Sequence, residues 1–249
     1  MNLIEKEVFL CLDCETTGLD PQNNRLIEIA VVTFTFEKIL DTYETLIDPK
    51  CPIPQETILI HHISDDMVSG KPEASSILPK VLKMIGNHII VGHGIQMDIA
   101  FILQECKRAC IPCNIHENAF LDTLRMARLY GESPVNSLER LRQHFNIAEE
   151  GAHRAMSDVI VNIEVFKYLS QKFKTTKELQ KRLEKPILLK AMPLGKHKGR
   201  RFSDIPIEYL HWAAHKDFDQ DLLYSIRSEL KMRKKGQKFH QASNPFADL

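Results

Sequence analysis

The chain opens with short apolar runs cut by turns. Val8 to Cys11, with Leu12 following, is long enough for a strand buried on both faces, and two carboxylates, Asp13 and Glu15, interrupt its end. Arg25 to Phe36 is β-branched and aromatic, and Ile39 to Ile47 begins a second alternating run. The short Glu37-Lys38 link predicts a hairpin, which sets antiparallel strands beside the acidic one. Pro49, Pro52 and Pro54 lead into Glu56 to Val68, which reads as a connection and not as a core strand. From Ala74 to Gly86, Ile77, Leu78, Val81, Leu82 and Ile85 fall at helical spacing, and the glycine closes the helix. His88 to His93 predicts another buried strand and Met97 to Cys110 a helix. Phe120 to Asp122 predicts a short strand, with helices over Thr123 to Tyr130 and Ser137 to Phe145. The last periodic stretch, Gly151 to Tyr168, places Val159, Ile163 and Phe166 toward the sheet.

Strands, a hairpin and alternating helices predict an α/β domain over residues 5–175. The charged stretch 176–190 reads as a linker, 191–233 as a small second unit, and 234–249 as a flexible basic tail. The chain has 249 residues and no apolar run of about 18, and MNLIEKEVFL lacks the basic start and apolar centre of a signal peptide. A soluble, cytoplasmic chain with no membrane partner is the expectation. The six cysteines are scattered, which suits reduced thiols. Cys106, Cys110, Cys113 and His116 are zinc-ligand types, but the two-pair spacing of a zinc ribbon is absent.

A formal charge of zero hides an asymmetry: residues 181–249 carry +7 and residues 1–180 carry −7. An acidic front and a basic back suit a phosphodiester substrate. The basic part is equally compatible with an ordinary solvated surface.

The acids of the first strand supply the chemistry. An unpaired buried carboxylate is costly or protonated, so Asp-x-Glu at the edge of a core strand asks for a cation. Residues i and i+2 of a strand point the same way, and hard oxygen ligands converging like this suit Mg²⁺ or Mn²⁺ better than Zn²⁺. Asp98 falls in the first turn of its predicted helix, where capping alone would also explain it. His153 and Asp158 are five residues apart, so they cannot share a helical face; if Asp158 faces a site, His153 comes from the preceding loop.

In this order, Asp13-x-Glu15, His93-x4-Asp98 and His153-x4-Asp158 resemble the DEDDh 3′-to-5′ exonucleases, the superfamily of the bacterial proofreading epsilon subunit and ribonuclease T. The resemblance spans about residues 7–170 and implies a ribonuclease H-like fold, a mixed five-stranded sheet flanked by helices. It implies two Mg²⁺ (or Mn²⁺) ions, bridged by Asp13, with Glu15 and Asp158 on the nucleophile side and Asp98 holding the other ion. His153 would take the proton from the attacking water, and the product would be a nucleoside 5′-monophosphate. The turn Thr16-Thr17-Gly18-Leu19 resembles the segment that seats the terminal nucleotide, Gly18 letting backbone approach the ligand and Leu19 wedging against the base. Glu56 and His61 resemble the pair that contacts that nucleotide, with His62 leaving a one-residue ambiguity.

The second unit, through Met192-Pro193, Gly195-Lys196, Lys198-Gly199, Asp204-Ile205-Pro206 and Tyr209-Leu210-x-Trp212, is similar to the module behind exodeoxyribonuclease X-like proteins. Lys196, Lys198, Arg200 and Arg201 would grip a phosphate backbone. Gln241 to Phe246 looks like a sliding-clamp-binding peptide. The expected partners are single-stranded DNA or DNA 3′ ends, with a sliding clamp and a DNA polymerase as further candidates. Proofreading or repair is the leading role; RNA 3′-end trimming and a catalytically silent nucleic-acid-binding protein are the alternatives.

Overall fold

The structure is a computed structural model and describes residues 3–130, 135–148 and 154–242, with 236–242 described in backbone alone. The chain divides into two units, Met1–Leu183 and Glu184–Leu249. In the first, β1 (Phe9–Thr16), β2 (Leu26–Phe34), β3 (Ile39–Leu46), β4 (Ile89–Gly92) and β5 (Phe120–Asp122) form one sheet in the order β3-β2-β1-β4-β5. The pairs β1 with β2 and β2 with β3 are antiparallel, whereas β1 with β4 and β4 with β5 are parallel. The antiparallel neighbour therefore lies on one side of the acidic strand and a parallel one on the other.

Around the sheet run α1 (Gln55–His61), α2 (Asp65–Val68), α3 (Ala74–Ile85), α4 (Gln96–Arg108), α5 (Thr123–Tyr130), α6 (Leu138–His144), α7 (Ala155–Ser170) and α8 (Thr176–Leu183). Alternation along β1 feeds two cores. Phe9 and Cys11 join Ala30, Val32, Phe34 and the α7 residues Val159, Ile163 and Phe166. Leu10 and Leu12 turn the other way, to Ile29, Val31 and the apolar faces of α3 and α4. Phe166 meets Phe9 edge-on at 5.0 Å and Phe34 at 6.1 Å. Such pairs add about 0.5–1.5 kcal/mol each beyond area burial, which fixes α7 against the middle of the sheet. This is the mixed five-stranded sheet with helices on both faces that the family resemblance implies.

Three segments differ from expectation. Residues 55–68 fold into α1 and α2 because Ile53, Ile63 and Val68 find a small core beside Ile27, which the proline punctuation concealed. The expected linker 176–190 begins with α8, whose Thr176, Leu179 and Leu183 are buried. Burial of one helical stripe outweighs the stretch's high charge. The expected tail from 234 starts as helix, since α10 (Gln220–Ala242) runs past it. Residues 243–249 lie outside those described.

In the second unit, α9 (Ile207–Ala213) and α10 enclose Met192, Phe202, Ile205, Leu210, Leu222 and Ile226. Asp221, fully buried on α10, accepts the N–H of Ile187 at 3.0 Å, and Ser225 Oγ accepts that of Leu189 at 2.8 Å. These bonds tie the unit's extended start to its long helix. Among the described residues no helix is long and apolar enough to cross a membrane.

Candidate active site

Asp13 and Glu15 are the last inward-facing residues of β1, on the same face as Phe9 and Cys11. Asp158 comes from the first turn of α7, the helix that covers that face. The three carboxylates bring oxygens within 4.8 Å of one another. Asp98, in the first turn of α4, is buried and accepts the N–H of Cys14, between the two β1 acids, at 2.9 Å. Helix capping is thus insufficient to describe Asp98: its carboxylate is bonded across the fold to the acidic strand. His153 lies outside the described residues.

The electrostatics follow from this crowding. Burial, reinforced by the charges of Asp98, Asp158, Glu15 and Glu28, pushes the Asp13 carboxyl well above its ordinary range. Burial and then Asp158 and Glu28 push Glu15 up to about 8. Asp98 is pushed up to about 7 by burial, against the N–H bonds it accepts. Burial and these acids also raise the Cys11 and Cys14 thiols, and the three donors that converge are all carboxylates. Several carboxylates that cannot all ionise together fit a hard divalent cation, whose charge would relieve the repulsion. Cys106 is buried and Cys110 exposed; among the described residues the acidic trio is the group whose donor atoms converge.

Supporting bonds hold the frame. Asp122, at the end of β5, accepts the N–H groups of Gly94 at 3.0 Å and Leu124 at 2.9 Å, tying the start of α5 to the loop that launches α4 and Asp98. Buried Thr123 bonds His93 Nδ1 at 3.0 Å and Asn162 Oδ1 at 2.6 Å, linking β4, α5 and α7 behind the acids. Glu28, fully buried on β2 and paired in register with Glu15, is bound by Arg154. Sequence pattern does not single out Glu28 and Arg154, although a lone acid inside the apolar run LIEIAVV carries the same warning as Asp13.

The nucleotide-seating candidates separate. Thr16 Oγ1 donates to Gly18 O at 2.7 Å, and Thr17, buried, accepts the N–H of Arg25 at 3.0 Å, so both hydroxyls serve the turn. Gly18 permits the close approach of Asn24: a Cβ there would lie 2.6 Å from Asn24 Oδ1. Leu19 is 80% exposed. Glu56 sits in the first turn of α1. His61 is buried, with Nδ1 accepting the Ile63 N–H at 3.0 Å and Nε2 lacking a partner among the described residues, whereas His62 closes the helix in the left-handed region, φ 59°. A surface cavity of about 570 Å³ beside Gly86, Pro112 and Asn118 lies at the opposite end of β4 and β5 from the carboxylates.

Residues 10–166 match the exonuclease family model (RNase_T), and the chain belongs to that family. A second model, named for a quorum-sensing-regulated virulence factor, matches residues 180–234. The DNA polymerase III epsilon subunit of Aquifex aeolicus is 30% identical over 64% of this chain and 78% of its own length. The PolC-type DNA polymerase III of Clostridium perfringens is 32% identical over 67% of this chain, but the match spans 11% of that polymerase. A solved exonuclease X, in complex with 5′ overhanging duplex DNA, superposes with a TM-score of 0.56 at 22% identity, over 71% of this chain and 99% of that one.

Proposed function

We propose that this protein is a divalent-metal-dependent 3′-to-5′ exonuclease acting on DNA. The observation that carries the proposal is the convergence of Asp13, Glu15 and Asp158 within 4.8 Å on the frame of the exonuclease family. Those three, with Asp98 beside them, would hold two Mg²⁺ or Mn²⁺ ions. When bound, such ions neutralise charge on the attacking and leaving oxygens of an in-line phosphoryl displacement. Water attacks the terminal phosphorus and the P–O3′ bond breaks, leaving a 3′-hydroxyl on the shortened strand and releasing a nucleoside 5′-monophosphate. His153 accepts the water's proton; an imidazole, whose unperturbed pKa is about 6.5, suits that work at neutral pH. Leu19 braces the terminal base, and Glu56 with His61 Nε2–H contacts the terminal nucleotide.

DNA is favoured over RNA as substrate by the relatives, an epsilon subunit and a DNA-bound exonuclease X. Proofreading or repair, in the cytoplasm, is the matching role. The test is release of mononucleotides from 3′-end-labelled single-stranded DNA and matched RNA, in Mg²⁺ or EDTA, by wild type and Asp13→Ala. Metal-dependent loss of the DNA label that Asp13→Ala abolishes is the expected result. Preference for RNA would move the protein to RNA maturation, and no hydrolysis of either would leave a nucleic-acid-binding protein.

A further inference from the structure

The second unit contains a buried donor without an acceptor among the described residues. His197 is 8% exposed, and its Nε2 has no hydrogen-bond partner among the described residues. Its other nitrogen, Nδ1, lies 3.3 Å from Arg200 Nη1. A guanidinium only donates, so Nδ1 is the acceptor and the ring proton sits on Nε2. The result is an N–H held inside the fold without an acceptor among the described residues, an arrangement that destabilises the unit until an acceptor is supplied.

The surroundings describe the missing acceptor. Gly195-Lys196-His197-Lys198-Gly199 is a tight loop whose two glycines take left-handed backbone, φ 70° and 81°. The hairpin bonds Met192 N–H to Arg200 O at 2.9 Å and Gly199 N–H to Met192 O at 2.8 Å close its base. Lys196, Lys198, Arg200 and Arg201 are exposed around it. The His197 ring stands edge-on to Tyr209 at 4.5 Å, and Tyr209 lies 5.2 Å from Trp212 on α9. Trp212 is 51% exposed, with Lys216 Nζ 4.8 Å from its ring centre; Lys196 Nζ is 5.0 Å from that of Tyr209. An acceptor-seeking N–H, four cations and a half-buried Tyr209 leading to an exposed Trp212 match a phosphate followed by a base.

We infer that this unit carries a binding site for single-stranded nucleic acid, in which His197 Nε2–H and the Lys196–Arg201 cations take one backbone phosphate and the Tyr209–Trp212 pair stacks a neighbouring base. The inference rests on the nuclease reading for the identity of the ligand as a strand. It extends the expected phosphate grip to a named donor and a named stacking platform.

Trp212 is the chain's one tryptophan, so its emission reports this site alone. The full-length protein in EDTA, titrated with an oligothymidylate of about 15 nucleotides, should show saturable quenching. Trp212→Ala should weaken binding of the labelled strand, read by anisotropy, roughly tenfold. His197→Phe keeps the ring and removes the N–H; it should be at least as heat-stable as wild type and bind several-fold more weakly. Should that variant unfold, exposed Lys196→Glu carries the same expectation. Strand binding without a change in Trp212 emission, or unchanged affinity in His197→Phe and Lys196→Glu, overturns the site. Quenching by a wild type that releases no nucleotide in Mg²⁺ would sink the nuclease reading and leave this site standing. Nucleotide release with unquenched Trp212 would do the reverse.

Discussion

Arg154 holds the buried carboxylate of Glu28, its Nε 3.0 Å from Oε1 and 3.1 Å from Oε2, while the backbone N–H of Ala155 donates to Oε2 at 3.0 Å. The pair fastens the first turn of α7 to β2 at the residue that faces Glu15 in register. Asp158 follows one helical turn later, so the placement of a metal-ligand candidate depends on this ion pair.

Removing the cation leaves Glu28 buried beside Glu15 and Asp13 with its charge uncompensated. Arg154→Ala should therefore destabilise the fold by roughly 2–4 kcal/mol in urea titration, somewhat below a fully buried pair because Arg154 is partly exposed. It should also lower kcat. Arg154→Lys, which keeps the charge and loses the fork, should recover part of the stability. Wild-type stability in Arg154→Ala would show that the clasp is not needed.

The acidic cluster makes the metal-free protein sensitive to pH. Glu15 and Asp98 move from ordinary values of 4.5 and 3.8 to about 8 and about 7 on folding, so the folded chain keeps protons that the unfolded chain gives up. Stability in EDTA is then greatest below about pH 4 and falls as pH rises toward about 8. Thermal melts from pH 5 to pH 8 should show Tm declining in EDTA, and Mg²⁺ should raise Tm more at pH 8 than at pH 5. A stabilising effect of Mg²⁺ that is the same at both would contradict this.

Relief of the same repulsion gives a sharper contrast. Asp13→Asn should raise the metal-free Tm at pH 8 by about 2–4 °C while abolishing hydrolysis. A lowered Tm together with lost activity would point instead to damage of the fold.

Leu19 is the exposed member of the turn after β1, in contrast to the inward-bonded Thr17. Leu19→Ala should leave stability within about 0.5 kcal/mol and raise KM for a DNA 3′ end roughly fivefold. An unchanged KM would remove Leu19 from the nucleotide seat.

Gln241 and Ala242 close α10, and Ser243 onward lies outside the described residues. A pull-down with a sliding clamp should succeed with the full chain and fail with Gln241→Ala and Phe246→Ala. Equal capture of all three would assign the contact elsewhere.

The acids on β1, the alternation that buries its two faces and the helix carrying Asp158 were legible in the sequence, because each depends on spacing along one segment. Period-2 and period-3.6 patterns record which face of an element is apolar, and an acid that breaks such a face declares itself. What joins segments across the fold leaves no local trace. Glu28 looked like one polar letter in β2 until Arg154, 126 residues on, supplied its partner. The packing of Asn24 against Gly18 and the bond from the Arg25 N–H to the Thr17 hydroxyl join positions six and eight residues apart, which no local pattern records. The helices over 55–68 and 176–183 form because small tertiary cores accept one stripe of each, which outweighs their proline and charge punctuation. The orphaned Nε2–H of His197 exists only because the fold buries one histidine of a basic loop and turns it against Tyr209. Sequence alone determined the chemical inventory and the strand and helix that present it. Tertiary packing decided which polar groups are spent on one another and which remain free to meet a ligand, because burial and partnership are set by residues distant in the chain.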